Sequence, residues 1–135
     1  DLAWGVPRWN MAAQLVEAIP SWRVFIFGGS ADSLSEGRSM GQFERKLGVL
    51  DLGEDRKWET LFPEEELRSD KPLGREHTAI CYDYEESRLF IFGGWANKWL
   101  DDCWQIQVAS IVGPPYAIIG VEPSLGPVSG GQKVK

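Results

Sequence analysis

Residues 23–29 read RVFIFGG and residues 88–94 read RLFIFGG, the same string with one Val/Leu exchange, repeated after 65 positions (23 to 88). Each copy opens on Arg, runs through four large β-forming apolar residues and ends in a double glycine. An apolar run without alternation predicts a strand covered on both faces. A glycine pair marks a sharp bend or a place where another backbone comes close. Self-similarity at a fixed period means that each copy is one supersecondary unit, which buries its surface by packing on the next.

The flanks repeat as well. A strand-like stretch precedes each core string, at 11–16 and at 77–82, followed by polar turns at 20–21 and 84–87. A further strand follows each double glycine, at 46–52 (KLGVLDL) and at 102–108 (DCWQIQV). In the first unit a polar turn at 53–56 leads to a fourth strand, 57–61, which carries Trp58; no such Trp follows Gln107 in the second. The chain therefore reads as all-β, built from four-stranded antiparallel meanders. Its 7 Trp and 15 Gly in 135 residues suit tight turns between aromatic strands. The stretch 30–44, rich in Ser, Gly and charge, reads as a surface insertion that lengthens the first unit beyond the usual size of about 40 to 50 residues. One helical turn is expected near 63–68, where Pro63 is followed by three acids.

These residues resemble the Kelch repeat. The first copy matches through Pro7-Arg8, Gly28-Gly29, the run Val49-Leu50-Asp51-Leu52 and Trp58; the second through Gly74-Arg75, His77, Gly93-Gly94, and 102–107 with Trp104. It departs in having Met11 where the family often has His, and in a shortened spacing from Arg75 to His77. The resemblance implies a partial β-propeller over 1–111: the end of a preceding blade at 1–4, one blade at 6–62 and the next at 73–111, with the remaining blades elsewhere. A linker at 112–115 (V-G-P-P) is expected to follow. Residues 116–135, with Pro123, Gly126-Pro127 and Gly130-Gly131, resemble the opening of an IPT/TIG domain, an immunoglobulin-like β-sandwich. A Kelch propeller running into IPT/TIG modules is similar to the N-terminal region of the alpha-type heavy chains of axonemal outer-arm dyneins. That likeness implies a cytoskeletal place in the cilium or flagellum. It also implies protein partners among dynein heavy, intermediate and light chains or docking proteins, and an ATPase motor far downstream.

Charge and chemistry narrow the function classes. The chain carries 14 Lys+Arg against 20 Asp+Glu, a net charge of −6, which repels nucleic acid. No run of 18 apolar residues could span a bilayer, so no membrane contact is expected. Two cysteines, Cys81 and Cys103, make no disulfide framework and fit a reducing, cytoplasmic setting. His77 is the sole histidine; with both cysteines it supplies three metal ligands at most, where a structural zinc takes four. The bland reading, a structural His and two small apolar packers, is preferred. The acidic runs Glu64-Glu65-Glu66, Glu85-Glu86 and Asp101-Asp102 lack calcium-loop spacing and read as solvated faces. No P-loop motif occurs. No catalytic residue, cofactor or metal is expected. The rival readings are a Kelch adaptor without a motor and a Kelch-fold oxidase or hydrolase.

Interaction is then the remaining role, and two loops carry it. Trp95, Asn97 and Lys98 follow the second double glycine, and Trp is enriched at binding hot spots. Of the two tryptophans there, Trp99 is expected to turn inward. Arg38, Met40 and Phe43 in the long insertion form the second candidate. Gly28, Gly29, Trp58, Arg75, Gly93, Gly94 and Trp104 are expected to be structural.

Overall fold

The computed structural model describes residues 7–31, 42–61 and 71–113. The expected closing turn at 1–4, Arg38 and Met40, the helical turn at 63–68 and the sandwich start at 116–135 lie outside these. In chain order the strands are β1 (Ala12–Val16), β2 (Arg23–Phe27), β3 (Ser30–Ala31), β4 (Gln42–Phe43), β5 (Leu47–Asp51), β6 (Trp58–Thr60), β7 (Ala79–Asp83), β8 (Arg88–Trp95) and β9 (Trp99–Gln107). One short helix, α1 (Ala109–Val112), follows.

Each copy of the repeated string forms the second strand of its own antiparallel sheet. The first sheet has the order β1-β2-β5-β6, the second β7-β8-β9, and β3 pairs with β4 separately. The registers correspond: Phe27 lies opposite Ala12 and Leu47, as Phe92 lies opposite Ala79 and Cys103. All-β is thus what the residues build.

The two strings are not covered on both faces. In β2 the buried residues are Phe25 and Phe27; in β8 they are Leu89 and Ile91, one position out of step. Side chains alternate across a strand, so equivalent strands bury opposite faces. The reason is that the sheets stack on one another. Phe25, Phe27, Leu47 and Val49 of the first join Leu89 and Ile91 of the second in one core, with Val16, Val108 and Val112. Burying residues of this size is worth roughly 1.5–3 kcal/mol each. The outward faces keep the other half of each string: Val24 and Ile26 on the first sheet, Phe90 and the 56% exposed Phe92 on the second. Cys81 and Cys103, opposite Phe90 and Phe92, share that second outward face and are exposed rather than packed.

The glycine pairs end the strands differently. Gly28 and Gly29 have φ +72° and +98°, and β2 stops before them. Gly93 and Gly94 are also left-handed, at +59° and +108°, yet β8 runs on to Trp95 across a register shift between Phe92 and Gly94. The base of the long insertion is ordered, since Ser30 pairs with Phe43 and Ala31 with Gln42. After β9 the chain hooks back: the Val108 N–H donates to the Ser87 carbonyl and Ser87 Oγ to the Gly113 carbonyl (3.0 and 3.1 Å). Val112, expected as the first linker residue, is buried in the core instead.

Candidate functional site: the double-glycine rim

An arginine stands at the start of each unit. Arg8 Nη1 donates to the Gly28 carbonyl at 3.3 Å, and Arg75 Nη1 to the Gly93 carbonyl at 3.0 Å. The next residues pair with the position after each glycine pair, Trp9 with Ser30 and Glu76 with Trp95. The residues after those, Asn10 and His77, both adopt left-handed backbone at φ 54° and 52°. So Asn10, not Met11, is the equivalent of His77. His77 lies outside β7, with its ring 57% exposed, and shares no strand face with Cys81. Among the described residues no group of three or more His, Cys, Asp or Glu could hold a metal ion.

The two units are joined along this rim. The Gly29 N–H donates to the Arg75 carbonyl (2.8 Å) and the His77 N–H to the Asn10 carbonyl (3.0 Å), while Asn10 Nδ2 donates to Glu76 Oε2 (3.1 Å). The missing Cβ of Gly28 leaves the space that the Arg75 carbonyl oxygen fills. The Arg75 guanidinium is fully buried and donates to both carboxylate oxygens of Asp102, to which the Trp104 indole N–H also donates at 2.7 Å. Chiefly the Arg75 hydrogen bonds, and then that of Trp104, hold the Asp102 carboxyl below its ordinary range against partial desolvation.

From this clamped base the Trp95–Trp99 hairpin projects. The Ala96 N–H donates to the Lys98 carbonyl at 3.0 Å, and Asn97 takes the left-handed tip position (φ 60°) that Asn tolerates well. Trp95 and Trp99 lie opposite each other with ring centroids 5.0 Å apart at 67°, an edge-to-face pair. Trp99 is 77% exposed and Trp95 half-buried, the reverse of the sequence expectation. The missed signal is the period of two in β9, which places Trp99 on the face of Asp101, Gln105 and Gln107 and away from Leu100, Trp104 and Ile106. Asn97 and Lys98 are exposed beside it.

The second candidate loop is the same hairpin in the preceding unit. Ser30 faces Phe43 as Trp95 faces Trp99, so Phe43 and Trp99 occupy equivalent places. Phe43 is half-buried, its carbonyl filling the space where Gly74 lacks a side chain. The structure thus brings Trp95, Asn97, Lys98 and Trp99 together in one exposed hairpin and sets Phe43 at the base of another. Trp58 faces the first sheet's outward side, opposite Leu50.

The sequence is similar to part of a dynein chain. Over 121 residues, 90% of its length, the chain is 37% identical to the dynein alpha chain of the flagellar outer arm of Chlamydomonas reinhardtii. The chain spans 2% of that relative's length. No protein-family model matches it. The segment is dynein-related by sequence, and no P-loop motif occurs in it. Among the described residues no helix is long and apolar enough to cross a membrane.

Proposed function

We propose that this chain is a non-catalytic docking scaffold within an axonemal outer-arm dynein heavy chain. In this reading it forms two blades of a Kelch-type propeller, holds neighbouring subunits through its double-glycine rim, and continues into an immunoglobulin-like module. The observation that carries the reading is the 37% identity along 90% of the chain to a flagellar outer-arm dynein chain. The stacking supports the propeller half of it. Each string buries one face and leaves the other apolar, as further units on either side would require. The partners are other proteins of the motor complex, dynein heavy, intermediate or light chains or docking proteins, and its place is the ciliary or flagellar axoneme.

The contact residues are those of the exposed hairpin, with Trp99 joining Trp95, Asn97 and Lys98. Exposed aromatic pairs on a rigid base lose little entropy on binding and supply most of a typical interface's energy. The test is Trp99→Ala in the full-length protein, read by its thermal midpoint and by its incorporation into the outer-arm complex. The midpoint is expected to stay within about 1 °C, since the side chain is mostly solvated, while incorporation falls at least about tenfold, one hot spot's worth. Normal incorporation refutes the assignment of this hairpin.

A further inference from the structure

We infer that residues 75–77 are a strap shared by the seam between the two units and the Trp95–Trp99 hairpin, so that seam and hairpin open and close together. This rests on the docking reading above and adds its regulation: a partner that holds the hairpin also tightens the seam. In the strap successive main-chain groups turn to opposite sides. The Arg75 carbonyl accepts from the Gly29 N–H and the His77 N–H donates to the Asn10 carbonyl, both in the first unit (2.8 and 3.0 Å). Between them, the Glu76 N–H donates to the Trp95 carbonyl and the Glu76 carbonyl accepts from the Trp95 N–H, at the base of the hairpin (3.0 and 2.8 Å).

Each of the two peptide groups in the strap therefore has one end in either structure. The 75–76 peptide gives its carbonyl to Gly29 and its N–H to Trp95; the 76–77 peptide gives its carbonyl to Trp95 and its N–H to Asn10. Glycines receive the strap on both sides. Gly28 lacks the Cβ whose space the Arg75 carbonyl oxygen takes, and a Cβ added at Gly94 would stand 2.7 Å from the carbonyl oxygen of Glu76. Side chains repeat the division. The buried Arg75 guanidinium donates into the second unit, to Asp102 and to the Gly93 carbonyl, whereas Glu76 Oε2 accepts from Asn10 of the first.

The consequence is cooperative. A peptide group is planar and rigid, so turning either one out of line breaks a bond on each side at once. Opening the seam thus removes the support of the hairpin base, and freeing the hairpin base loosens the seam. Such linkage is reciprocal: whatever fixes Trp95 steadies Gly29, and whatever displaces the strap from Gly29 releases Trp95. Trp95 also makes the edge-to-face contact with Trp99, which sets the exposed ring of the docking hairpin one cross-strand pair away from the strap.

Hydrogen exchange of the full-length protein measures this coupling without any partner. Gly28→Ala, which meets the strap from the first unit, is expected to speed exchange of the Trp95 amide at least about fivefold, the worth of one net hydrogen bond. Gly94→Ala, which meets it from the second, is expected to do the same to the Gly29 amide, again at least about fivefold. In both variants amides at the centres of β2 and β8 are expected to stay within about twofold of the parent. An effect confined to the substituted unit overturns the inference, and so does equal acceleration throughout, which is global unfolding. If either variant fails to fold, Asn10→Gly takes its place, since it suits the left-handed backbone and removes only the side-chain donor to Glu76. It is expected to speed the Trp95 amide at least about twofold, and an unchanged amide overturns the inference. The docking reading fails separately. Normal incorporation of Trp99→Ala with coupled exchange refutes the hairpin as a docking site and leaves the strap standing; lost incorporation with uncoupled exchange does the reverse.

Discussion

Gly28 and Gly93 hold the same place in the two units and nearly the same backbone conformation, yet replacing each by Ala is expected to cost very different amounts. The shared part is conformational: a non-glycine residue at φ +72° or +59° costs about 1–2 kcal/mol. At Gly93 that is most of the effect, because an added Cβ meets only the Leu100 carbonyl oxygen, at 3.2 Å. At Gly28 the Cβ falls on the carbonyl of Arg75, and the second unit must withdraw by roughly 1 Å. That withdrawal breaks the bond from the Gly29 N–H to Arg75, worth about 1 kcal/mol net, and loosens the core between the sheets. Gly28→Ala should therefore exceed Gly93→Ala by about 2 kcal/mol, up to a thirty-fold difference in the unfolding equilibrium. Urea unfolding of the 135-residue chain, followed by tryptophan fluorescence, measures both. Equal losses would refute the claim that the double glycine exists to admit the next unit's backbone. If the proposed propeller reading holds, the two values should converge in the full-length protein, because a further blade would bring its own carbonyl to Gly93.

Two other predictions concern the clamp and the open face. Asp102→Leu strands the buried Arg75 guanidinium and should destabilise the chain by about 3 kcal/mol, the lower end of the range for a broken buried pair because the carboxylate is partly solvated. A thermal midpoint unchanged from the parent would refute it. The pH dependence has a definite sign. Because the folded carboxyl titrates below its ordinary value of about 3.9, the pair's contribution is fully present above about pH 5. It is lost as pH falls through the folded value, and Asp102→Leu should flatten that acid limb of the stability curve. Phe92→Ser should change the 135-residue chain's stability by less than about 0.5 kcal/mol, since the ring is 56% exposed. In the full-length protein it should cost about 2 kcal/mol if another blade covers that face; calorimetry of both forms checks the contrast.

The strands were legible because their physics is local. Two apolar strings and their glycine pairs indicate two antiparallel sheets of four strands each; among the described residues the first sheet has four strands and the second three. The error at Met11 arose because the β1–β2 connection, residues 17–22, is two residues longer than the turn at 84–87. The spacing from Arg8 to Arg75 is therefore 67 where the strings are 65 apart, and matching by strand start slips the alignment. The coupling residues were not legible. Nothing in one sequence ties Asn10 to Glu76, 66 positions away, or identifies Asp102 as the partner of Arg75 rather than as half of a solvated acidic pair. Trp99 was misplaced for a different reason. Its side was encoded in the alternation of β9, but composition alone counts every Trp as core.

The two sheets meet through opposite sides of the same repeated string, and this gives their junction a direction. A further junction of this kind would use the same pair of surfaces, one forward and one backward, so that a chain could gain or lose a module without any new interface having to arise. In the propeller reading proposed above, the number of modules is left free by the junction and would be fixed only where the series comes full circle.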